Sequence, residues 1–205
     1  MRVFVTGTDT DVGKTVVSAW LCRQFNLDYF KPVQAGVDPA TDSERVGRYA
    51  DCHIHPESYR LRVPASPHYA AELEGRHLSL ADIRLPDASR LVVEGAGGVM
   101  VPLGAGYMMI DLITSLALPV LLVASTRLGT LNHTLLTLAA LRSRRIRIMG
   151  VILNGESSQM LARTIADYGE AAVLQQFPLL KEVSASTLDS VTPTAALCAA
   201  LEGES

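Results

Sequence analysis

The sequence predicts an α/β fold, a three-layer sandwich in which helices flank both faces of a mostly parallel central sheet. Strand-like apolar runs alternate with helix-like patterns along most of the chain, and this alternation favours parallel strands joined by right-handed crossovers. Hydrophobic residues make up 48% of the chain and aromatic residues only 5%, so we expect a core of Val, Leu, Ile and Ala, as is usual for buried parallel strands. A chain of 205 residues commonly forms one α/β domain, and we expect a single domain over residues 1–205.

The first strand and the first helix are joined by a polar, glycine-containing loop, and the whole unit reads VFVTGTDTDVGKT over residues 3–15. The apolar run at residues 3–5 predicts the strand. Apolar residues at helical spacing over residues 16–25, closed by Asn26, predict the helix.

The loop has the composition of a phosphate-binding loop. Backbone N–H groups in such a loop surround phosphate oxygens, and the following helix adds its positive N-terminal dipole. Gly13 lets the backbone approach the phosphates, Lys14 would reach the β- and γ-phosphates, and the Thr15 hydroxyl would ligate Mg²⁺. The usual pattern, G-x-x-x-x-G-K-[ST], would put a glycine at position 8, but this chain has Thr8 there and Gly7 one position earlier. The stretch favours nucleotide binding over its alternative, a tight strand-to-helix turn with a solvated lysine.

A lysine stands near the end of the second predicted strand, which covers residues 29–33 and is followed by a turn at residues 34–36. Open parallel sheets bind ligands beyond the carboxyl ends of their strands. Lys31 is therefore a candidate functional residue, and the alternative is a surface lysine on an edge strand.

An apolar strand that begins at residue 91 ends on an acid, Glu94, and a glycine-rich turn follows it. In nucleoside-triphosphate sites a carboxylate at such a strand end holds or positions Mg²⁺, together with the hydroxyl of the phosphate-binding loop. Glu94 is that candidate, and the glycines within residues 95–98 would let the backbone pass close to a ligand. The alternative is a solvated acid at a strand end.

The remaining elements continue the alternation of strands and helices. Further strands are predicted at residues 120–125, 146–153 and 172–175, and further helices at residues 43–50, 131–142, 157–167 and 194–201. Residues 37–90 are the least regular part and are expected to form an ordered excursion between sheet strands. Asn154 ends a strand on the ligand side, where its donor and acceptor could match an adenine edge or could form a turn before Gly155.

Charge and composition exclude several classes of partner. The formal net charge is −3, from 18 basic and 21 acidic side chains, which gives no field that would attract nucleic acid or an anionic membrane. The most apolar run, residues 110–124, contains Asp111 and Pro119 and is predicted to be a helix end, a turn and a strand, not a membrane span. Three cysteines without C-x-x-C spacing indicate neither a disulfide framework nor a zinc site, and residues 1–2 lead directly into the first strand without a secretory signal. We therefore expect a cytoplasmic protein with a small-molecule substrate.

Seven motifs occur in order along the chain, namely VTGTDTDVGKT, FKPVQAG, SPH, VVEGAGG followed by VPL, LPVLLV, RLGTLNH and GVILNG. Taken together, they make the chain similar to the dethiobiotin synthetase family of the P-loop NTPase superfamily. The resemblance runs from residue 3 to about residue 180, includes the displaced glycine, and is specific because few nucleotide enzymes follow the loop with K-P-V and E-G-A-G-G in this order. It implies a P-loop NTPase-type fold and an ATP- and Mg²⁺-dependent ligase of biotin biosynthesis. Such an enzyme closes the ureido ring of dethiobiotin from 7,8-diaminopelargonic acid and CO2 or bicarbonate, through a carbamate and a carbamic-phosphoric anhydride. It also implies a homodimer with the substrate at its interface.

The resemblance further implies roles for individual residues of this chain. The catalytic residues would be Lys31, Lys14 and Thr10, and Mg²⁺ would be held by Thr15, Asp42 and Glu94. The nucleotide would be bound by Gly7, Thr8, Asp9, Thr10, Asp11, Val12, Gly13, Lys14, Thr15, Glu94, Gly97, Asn154 and Pro178, with Asn154 reading the adenine. The substrate would contact Thr10, Lys31, Ala35, Pro67, Gly129, Thr130, Leu131 and Asn132, the last four from across the dimer interface.

Two positions depart from the family pattern. Ala35 stands where some members have serine, which removes a hydroxyl contact to the substrate or phosphate, and Asp11 replaces the commoner glutamate of the loop. Neither position carries a residue that the mechanism requires.

Two other classes of protein are the alternatives. Cobyrinic-acid-type amidating ligases share a similar loop and fold but add a glutaminase domain, for which we expect no room in 205 residues. ATPase switches of the ParA or MinD type carry a signature lysine early in the loop and often a basic or amphipathic tail. This loop has no lysine before Lys14, and the tail of this chain is acidic.

Overall fold

The protein, described over residues 1–203 by a computed structural model, is built around a seven-stranded sheet whose neighbouring strands all run parallel. The strands in chain order are β1 (Arg2–Gly7), β2 (Asp28–Phe30), β3 (Val33–Ala35), β4 (Ile54–His55), β5 (Tyr59–Leu61), β6 (Leu91–Gly98), β7 (Pro102–Gly104), β8 (Tyr107–Met108), β9 (Val120–Ser125), β10 (Ile148–Asn154) and β11 (Val173–Phe177). The helices are α1 (Lys14–Phe25), α2 (Asp42–Ala50), α3 (Pro67–Leu73), α4 (Met109–Leu116), α5 (Thr130–Ser143), α6 (Gln159–Gly169), α7 (Ala185–Asp189) and α8 (Ala195–Glu202). The sheet order is β11-β10-β9-β1-β6-β2-β4, and two small sheets pair β3 with β5 and β7 with β8.

Successive side chains of the central strands enter two apolar layers, which explains why helices cover both faces of the sheet. Val3 and Val5 of β1 belong to a layer built with α1, α2, α7 and α8, whereas Phe4 between them belongs to a layer with α3 and α4. Leu122 and Ala124 of β9 pack with α5 and α6. The predicted three-layer α/β sandwich is confirmed.

Helix α1 is limited at both ends by residues with a left-handed backbone conformation, and buried contacts fix it along its length. Gly13 precedes it with a φ of 96°, and Asn26 ends it with a φ of 50°. The Trp20 indole Nε1 donates to the Val191 carbonyl at 2.8 Å, and its ring meets the ring of Phe177 edge-on at 5.2 Å. The helix predicted at residues 16–25 is thus confirmed, two residues longer at its start, and it is fixed to the C-terminal segment of the chain.

Helix α2 begins with a capping box that fixes the first helical residue, Asp42. The Thr41 hydroxyl accepts the Glu44 backbone N–H at 3.1 Å, and the Glu44 carboxylate accepts the Thr41 N–H at 3.0 Å. Two backbone donors at the helix start are satisfied in this way, so the start of the helix is well defined. The predicted helix at residues 43–50 begins one residue earlier than expected.

Two predicted strands have different limits in the structure. The strand predicted at residues 29–33 is confirmed only over Tyr29 and Phe30, because β2 ends at Phe30 and Val33 starts β3, which pairs with β5 in a separate sheet. Pro32 has no N–H to donate to a sheet ladder, which explains the break. The strand predicted to end at Glu94 instead continues as β6 through the glycines to Gly98, which pairs with Gly7 of β1.

The other predicted strands and helices are confirmed with ends that shift by one or two residues. The short helices α3 and α7 lie in segments where no helix was predicted. Within residues 1–203 no helix combines the length and apolarity needed to cross a membrane. The single domain predicted over residues 1–205 includes residues 204 and 205, which lie outside the described residues.

We expect Trp20→Phe to lower the free energy of unfolding by about 2 to 3 kcal/mol, because it leaves a void beside Phe177 and removes the hydrogen bond to the buried Val191 carbonyl. Urea unfolding followed by circular dichroism measures the change. Tyr168→Phe, at a residue that is 77% exposed, is the control and should change stability by less than about 0.5 kcal/mol. Equal stability of both variants would contradict the anchoring role of Trp20.

Candidate active site

A cavity of about 620 Å³ lies at the carboxyl edge of the sheet, next to the ends of β1, β2 and β6. Its wall includes eleven of the residues singled out from the sequence, namely Thr10, Asp11, Gly13, Lys14, Thr15, Lys31, Ala35, Asp42, Pro67, Glu94 and Gly97. The topology explains the convergence, because parallel strands place their carboxyl ends at one edge.

The loop between β1 and α1 turns sharply, and the lysine that follows it, Lys14, contacts the backbone near the start of the loop. Asp11 and Gly13 both have left-handed backbone conformations, with φ of 55° and 96°. The Lys14 ammonium donates to the Asp9 carbonyl at 2.8 Å, which holds the side chain over the loop. Lys14 is 7% exposed, and its pKa is lowered by burial, an effect that the negative charge of Glu94 opposes. The prediction's alternative, a solvated lysine, is therefore wrong.

Asn154, at the end of β10, contacts the same loop. Its side-chain amide donates to the Val12 carbonyl at 3.0 Å, and the amide nitrogen occupies the space next to Gly13. A β-carbon on Gly13 would lie 2.0 Å from that nitrogen. Asn154 therefore braces the loop, and only glycine fits at position 13.

An ion cluster of Lys31, Asp42 and Glu94 lines the same cavity and contacts Thr15 at the end of the loop. The Lys31 ammonium lies 2.6 Å from Asp42 Oδ2 and 2.9 Å from Glu94 Oε1, and it also donates to the Gly95 carbonyl at 3.2 Å. Thr15 Oγ1 donates to Glu94 Oε1 at 2.9 Å. Lys31 is 3% exposed and Glu94 1%, so the two alternatives of a surface lysine and a solvated acid are wrong.

Burial and charge act in opposite directions on this cluster. Burial alone would lower the pKa of Lys31, but attraction to Glu94 and Asp42 outweighs it and raises that pKa above the ordinary value. For Asp42, burial would raise the pKa, and the neighbouring Lys31 charge outweighs it and lowers the pKa. Lys31 is therefore a cation, and Asp42 an anion, across the neutral pH range.

The oxygen atoms at this end of the cavity fit a Mg²⁺ site completed by phosphate. Thr15, Asp42 and Glu94 bring one hydroxyl and two carboxylates around a shared point, where Lys31 is the cation in this structure. Mg²⁺ prefers such hard oxygen ligands and usually takes only one or two carboxylates, with water and substrate phosphates as the rest. No group of three or more His, Cys, Asp or Glu side chains that could hold a metal occurs in the part of the chain that the structure describes.

Several residues singled out from the sequence lie outside the cavity wall. Gly7 at the end of β1 and Thr8, Asp9 and Val12 of the following loop do not line the cavity. Asn154 touches the loop from β10, and the exposed Pro178 follows β11, the neighbouring strand. Gly129, the N-cap of α5, and the first helical residues Thr130, Leu131 and Asn132 lie after β9 and do not line the cavity within the single chain.

Several residues of the site were not identified from the sequence, among them Gln34, Arg45 and Tyr29. Gln34 and Arg45 line the cavity, and the Gln34 side chain accepts the Asp42 N–H at 3.1 Å while its amide donates to the Gly36 carbonyl at 2.8 Å. The Tyr29 hydroxyl donates to Glu94 Oε2 at 3.0 Å, and burial together with the Glu94 charge raises the pKa of Tyr29 well above its ordinary value. Tyr29 could have been identified from the period-two alternation of a strand, which puts it on the same side of the chain as Lys31.

Comparison with known proteins gives one family. A family model described as an AAA domain matches residues 1–187. The chain is 47% identical over 194 residues to a protein named ATP-dependent dethiobiotin synthetase BioD from Lawsonia intracellularis, covering 95% of this chain and 96% of that one. It is 46% identical over 198 residues to the protein of the same name from Paramagnetospirillum magneticum, covering 96% and 97%.

Among solved structures, the cell division ATPase MinD of Pyrococcus furiosus is similar with a TM-score of 0.56, over 100% of this chain and 99% of that one. The two sequences are 14% identical, so this likeness shows the fold alone.

We expect Gly13→Ala to weaken binding of MgATP by at least about 100-fold, because the new methyl group displaces Asn154 or the loop, and several backbone contacts to phosphate are lost together. Calorimetric titration measures the affinity. Gly106→Ala is the matched control, since Gly106 also has a left-handed φ, of 81°, but has open space around it. If both variants bind MgATP as the unaltered protein does, the loop is not the phosphate site.

Proposed function

This chain belongs to the ATP-dependent dethiobiotin synthetase family, and on that premise we propose that it closes the ureido ring of dethiobiotin from 7,8-diaminopelargonic acid, CO2 and ATP in biotin biosynthesis. The observation that carries the proposal is the ion cluster of Lys31, Asp42 and Glu94, which lines the same cavity as the loop and has Lys31 and Glu94 buried. A generic ATPase needs the loop, whereas a second fixed lysine in the same cavity suits the transfer of phosphate to an anionic acceptor.

ATP is proposed to bind along the loop within a single domain that covers the chain. The backbone over residues 7–15 would surround the triphosphate, with Lys14 on its terminal oxygens. Asn154 and Pro178 lie on the β10 and β11 side of the loop, where the adenine would sit. Asn154 can do both tasks, because the amide N–H that holds Val12 leaves the other N–H and the carbonyl oxygen for a base edge.

Mg²⁺ is proposed to bind at Thr15, Asp42 and Glu94. When bound there, it would neutralise charge on the β- and γ-phosphates of ATP. The chain's own residues prepare this site, since Thr15 is hydrogen-bonded to Glu94 and the capping box of α2 fixes Asp42.

The reaction is proposed to proceed in three steps. One amine of the diamine takes up CO2 as a carbamate, and a carbamate oxygen attacks the γ-phosphorus, which releases ADP and leaves a carbamic-phosphoric anhydride. The second amine then attacks the carbonyl carbon, phosphate leaves, and the ring closes. Two anions must approach each other in the phosphoryl transfer, so Lys14 and Lys31 would lower the barrier by offsetting their repulsion and by fixing an in-line geometry.

Substrate binding is proposed to use both sides of the cavity. Thr10 would face the two amines, and Ala35 and Pro67, which also line the cavity, would contact the carbon chain. Residues 129–132, at the start of α5, would bind the substrate carboxylate from the partner subunit of a homodimer, since a helix N-terminus favours anions. We place the enzyme in the cytoplasm, a reducing compartment that suits its three free thiols.

The test of the function is product formation. Purified protein incubated with 7,8-diaminopelargonic acid, bicarbonate and MgATP is expected to form dethiobiotin and ADP in equal amounts, measured by mass spectrometry and a coupled ADP assay. The control omits the diamine and should release little ADP. Rapid ATP hydrolysis without dethiobiotin would refute the proposal and favour an ATPase switch.

We expect Lys31→Gln, like Lys31→Ala, to lower turnover by about 100-fold or more, because a positive charge next to the transferred phosphate is lost. The glutamine keeps a hydrogen-bond donor beside Asp42 and Glu94, so the fold should persist, which circular dichroism checks. Lys181→Gln, at an exposed lysine, is the matched control and should retain full turnover. Near-normal turnover in Lys31→Gln would remove this residue from the chemistry.

A further inference from the structure

We propose that Tyr29 is a positioning residue that sets the orientation of the Glu94 carboxylate and thereby the affinity of the site for Mg²⁺. The inference rests on the proposed function, because it takes Glu94 to be a metal ligand. Tyr29 does not line the cavity, and it would act only through Glu94.

The two oxygens of Glu94 have different partners. Oε1 accepts hydrogen bonds from Thr15 and Lys31, both at 2.9 Å and both residues of the cavity wall. Oε2 accepts the Tyr29 hydroxyl at 3.0 Å. With one oxygen held by Tyr29, the carboxylate presents the other oxygen to the cavity, so the hydroxyl fixes which atom is available there.

Tyr29 is itself held firmly in place. It lies in β2, an inner strand of the sheet, paired with Val92 of β6 on one side, while its own N–H donates to the His53 carbonyl at 2.9 Å on the other. Its ring is fully buried in the apolar layer that contains Cys22 of α1 and Val46 of α2. The hydroxyl therefore cannot follow Glu94 if the carboxylate turns, and the geometry of the contact is set by the sheet.

Removal of the hydroxyl would leave Oε2 of Glu94 without this donor in a buried environment. A buried acceptor without a partner is unfavourable, so the carboxylate would turn toward its remaining donors, Thr15 and Lys31, which are both 2.9 Å from Oε1. Outer residues that orient metal ligands in this way typically change metal affinity by 10- to 100-fold when they are altered. The proposed contacts between loop backbone and phosphate do not use the Glu94 carboxylate, so binding of metal-free nucleotide should change little.

The test compares Mg²⁺ dependence in the full-length protein without the diamine. Binding of a fluorescent ADP analogue is titrated at a series of Mg²⁺ concentrations, from excess chelator upward, and the apparent Mg²⁺ affinity of the complex is extracted. We expect Tyr29→Phe to weaken that affinity by about 10-fold, with nucleotide affinity in chelator changed by less than about 2-fold.

Tyr59→Phe is the matched control. Tyr59 is also buried, at 7% exposed, and its hydroxyl also donates to a carboxylate, Asp82 Oδ2 at 2.9 Å, but it does not line the cavity. Both variants should lose some thermal stability, and only Tyr29→Phe should change the Mg²⁺ dependence. Tyr29→4-aminophenylalanine keeps a ring donor and should retain most of the affinity. If Tyr29→Phe cannot be purified, this variant replaces it in the titration and is expected to weaken the Mg²⁺ affinity relative to the unaltered protein, by less than about 10-fold.

An unchanged Mg²⁺ affinity in Tyr29→Phe, or an equal change in Tyr59→Phe, would overturn the inference. So would nucleotide binding by the unaltered protein that does not depend on Mg²⁺. These outcomes are separate from failure of the proposed function, because the titration uses no diamine. A protein that makes no dethiobiotin but shows the expected 10-fold difference would keep the role of Tyr29 and lose only the assigned reaction.

Discussion

The contact between the Lys31 ammonium and the carboxylates of Asp42 and Glu94 is the interaction on which the site depends. These contacts, at 2.6 Å and 2.9 Å, join three segments of the chain: the residue after β2, the first residue of α2 and the middle of β6. Buried charges lose their hydration, and an ion pair in the interior adds little stability compared with apolar residues of the same volume. The cluster is therefore best explained by the placement of charge at the cavity, since the apolar layers on both faces of the sheet already supply a core.

The order of the strands in the parallel sheet sets which residues lie on each side of the loop. In the order β10-β9-β1-β6-β2, the loop after β1 stands at the centre, Asn154 lies on the β10 side, and Lys31 and Glu94 lie on the β2 and β6 side. A nucleotide bound along the loop would have its base toward Asn154 and its terminal phosphate toward Lys31. Asn154, proposed to bind the base, and Lys31, proposed for the chemistry, thus lie on opposite sides of the loop in the order of the strands.

Short-range patterns revealed much of this site, and long-range contacts account for what they missed. The loop, Lys31 and Glu94 were predictable because spacing within a few residues and the rule for strand ends suffice. The burial of Lys31 and the contacts of Lys31 and Tyr29 with Glu94 depend on the register between β2 and β6. The contact of Lys31 with Asp42 depends on the packing of α2, and no local pattern encodes either arrangement. The continuation of β6 to Gly98 contradicts the low strand propensity of glycine, because pairing with β1 outweighs it. Pro32 was the local signal for the break between β2 and β3, but the predicted strand included it.

The hydrogen bonds of Lys31 also limit how it can meet a substrate. An ammonium has three donors, and in this structure they are directed at Asp42, Glu94 and the Gly95 carbonyl. A new oxygen can be bound only if one of these partners is given up. The Gly95 carbonyl is the longest contact, at 3.2 Å, and the only one of the three without a charge, so its loss leaves both ion pairs intact. The same lysine can therefore hold the two carboxylates in place and still offer one N–H to an anionic acceptor in the cavity, which is the combination that a fixed charge beside a transferred phosphate requires.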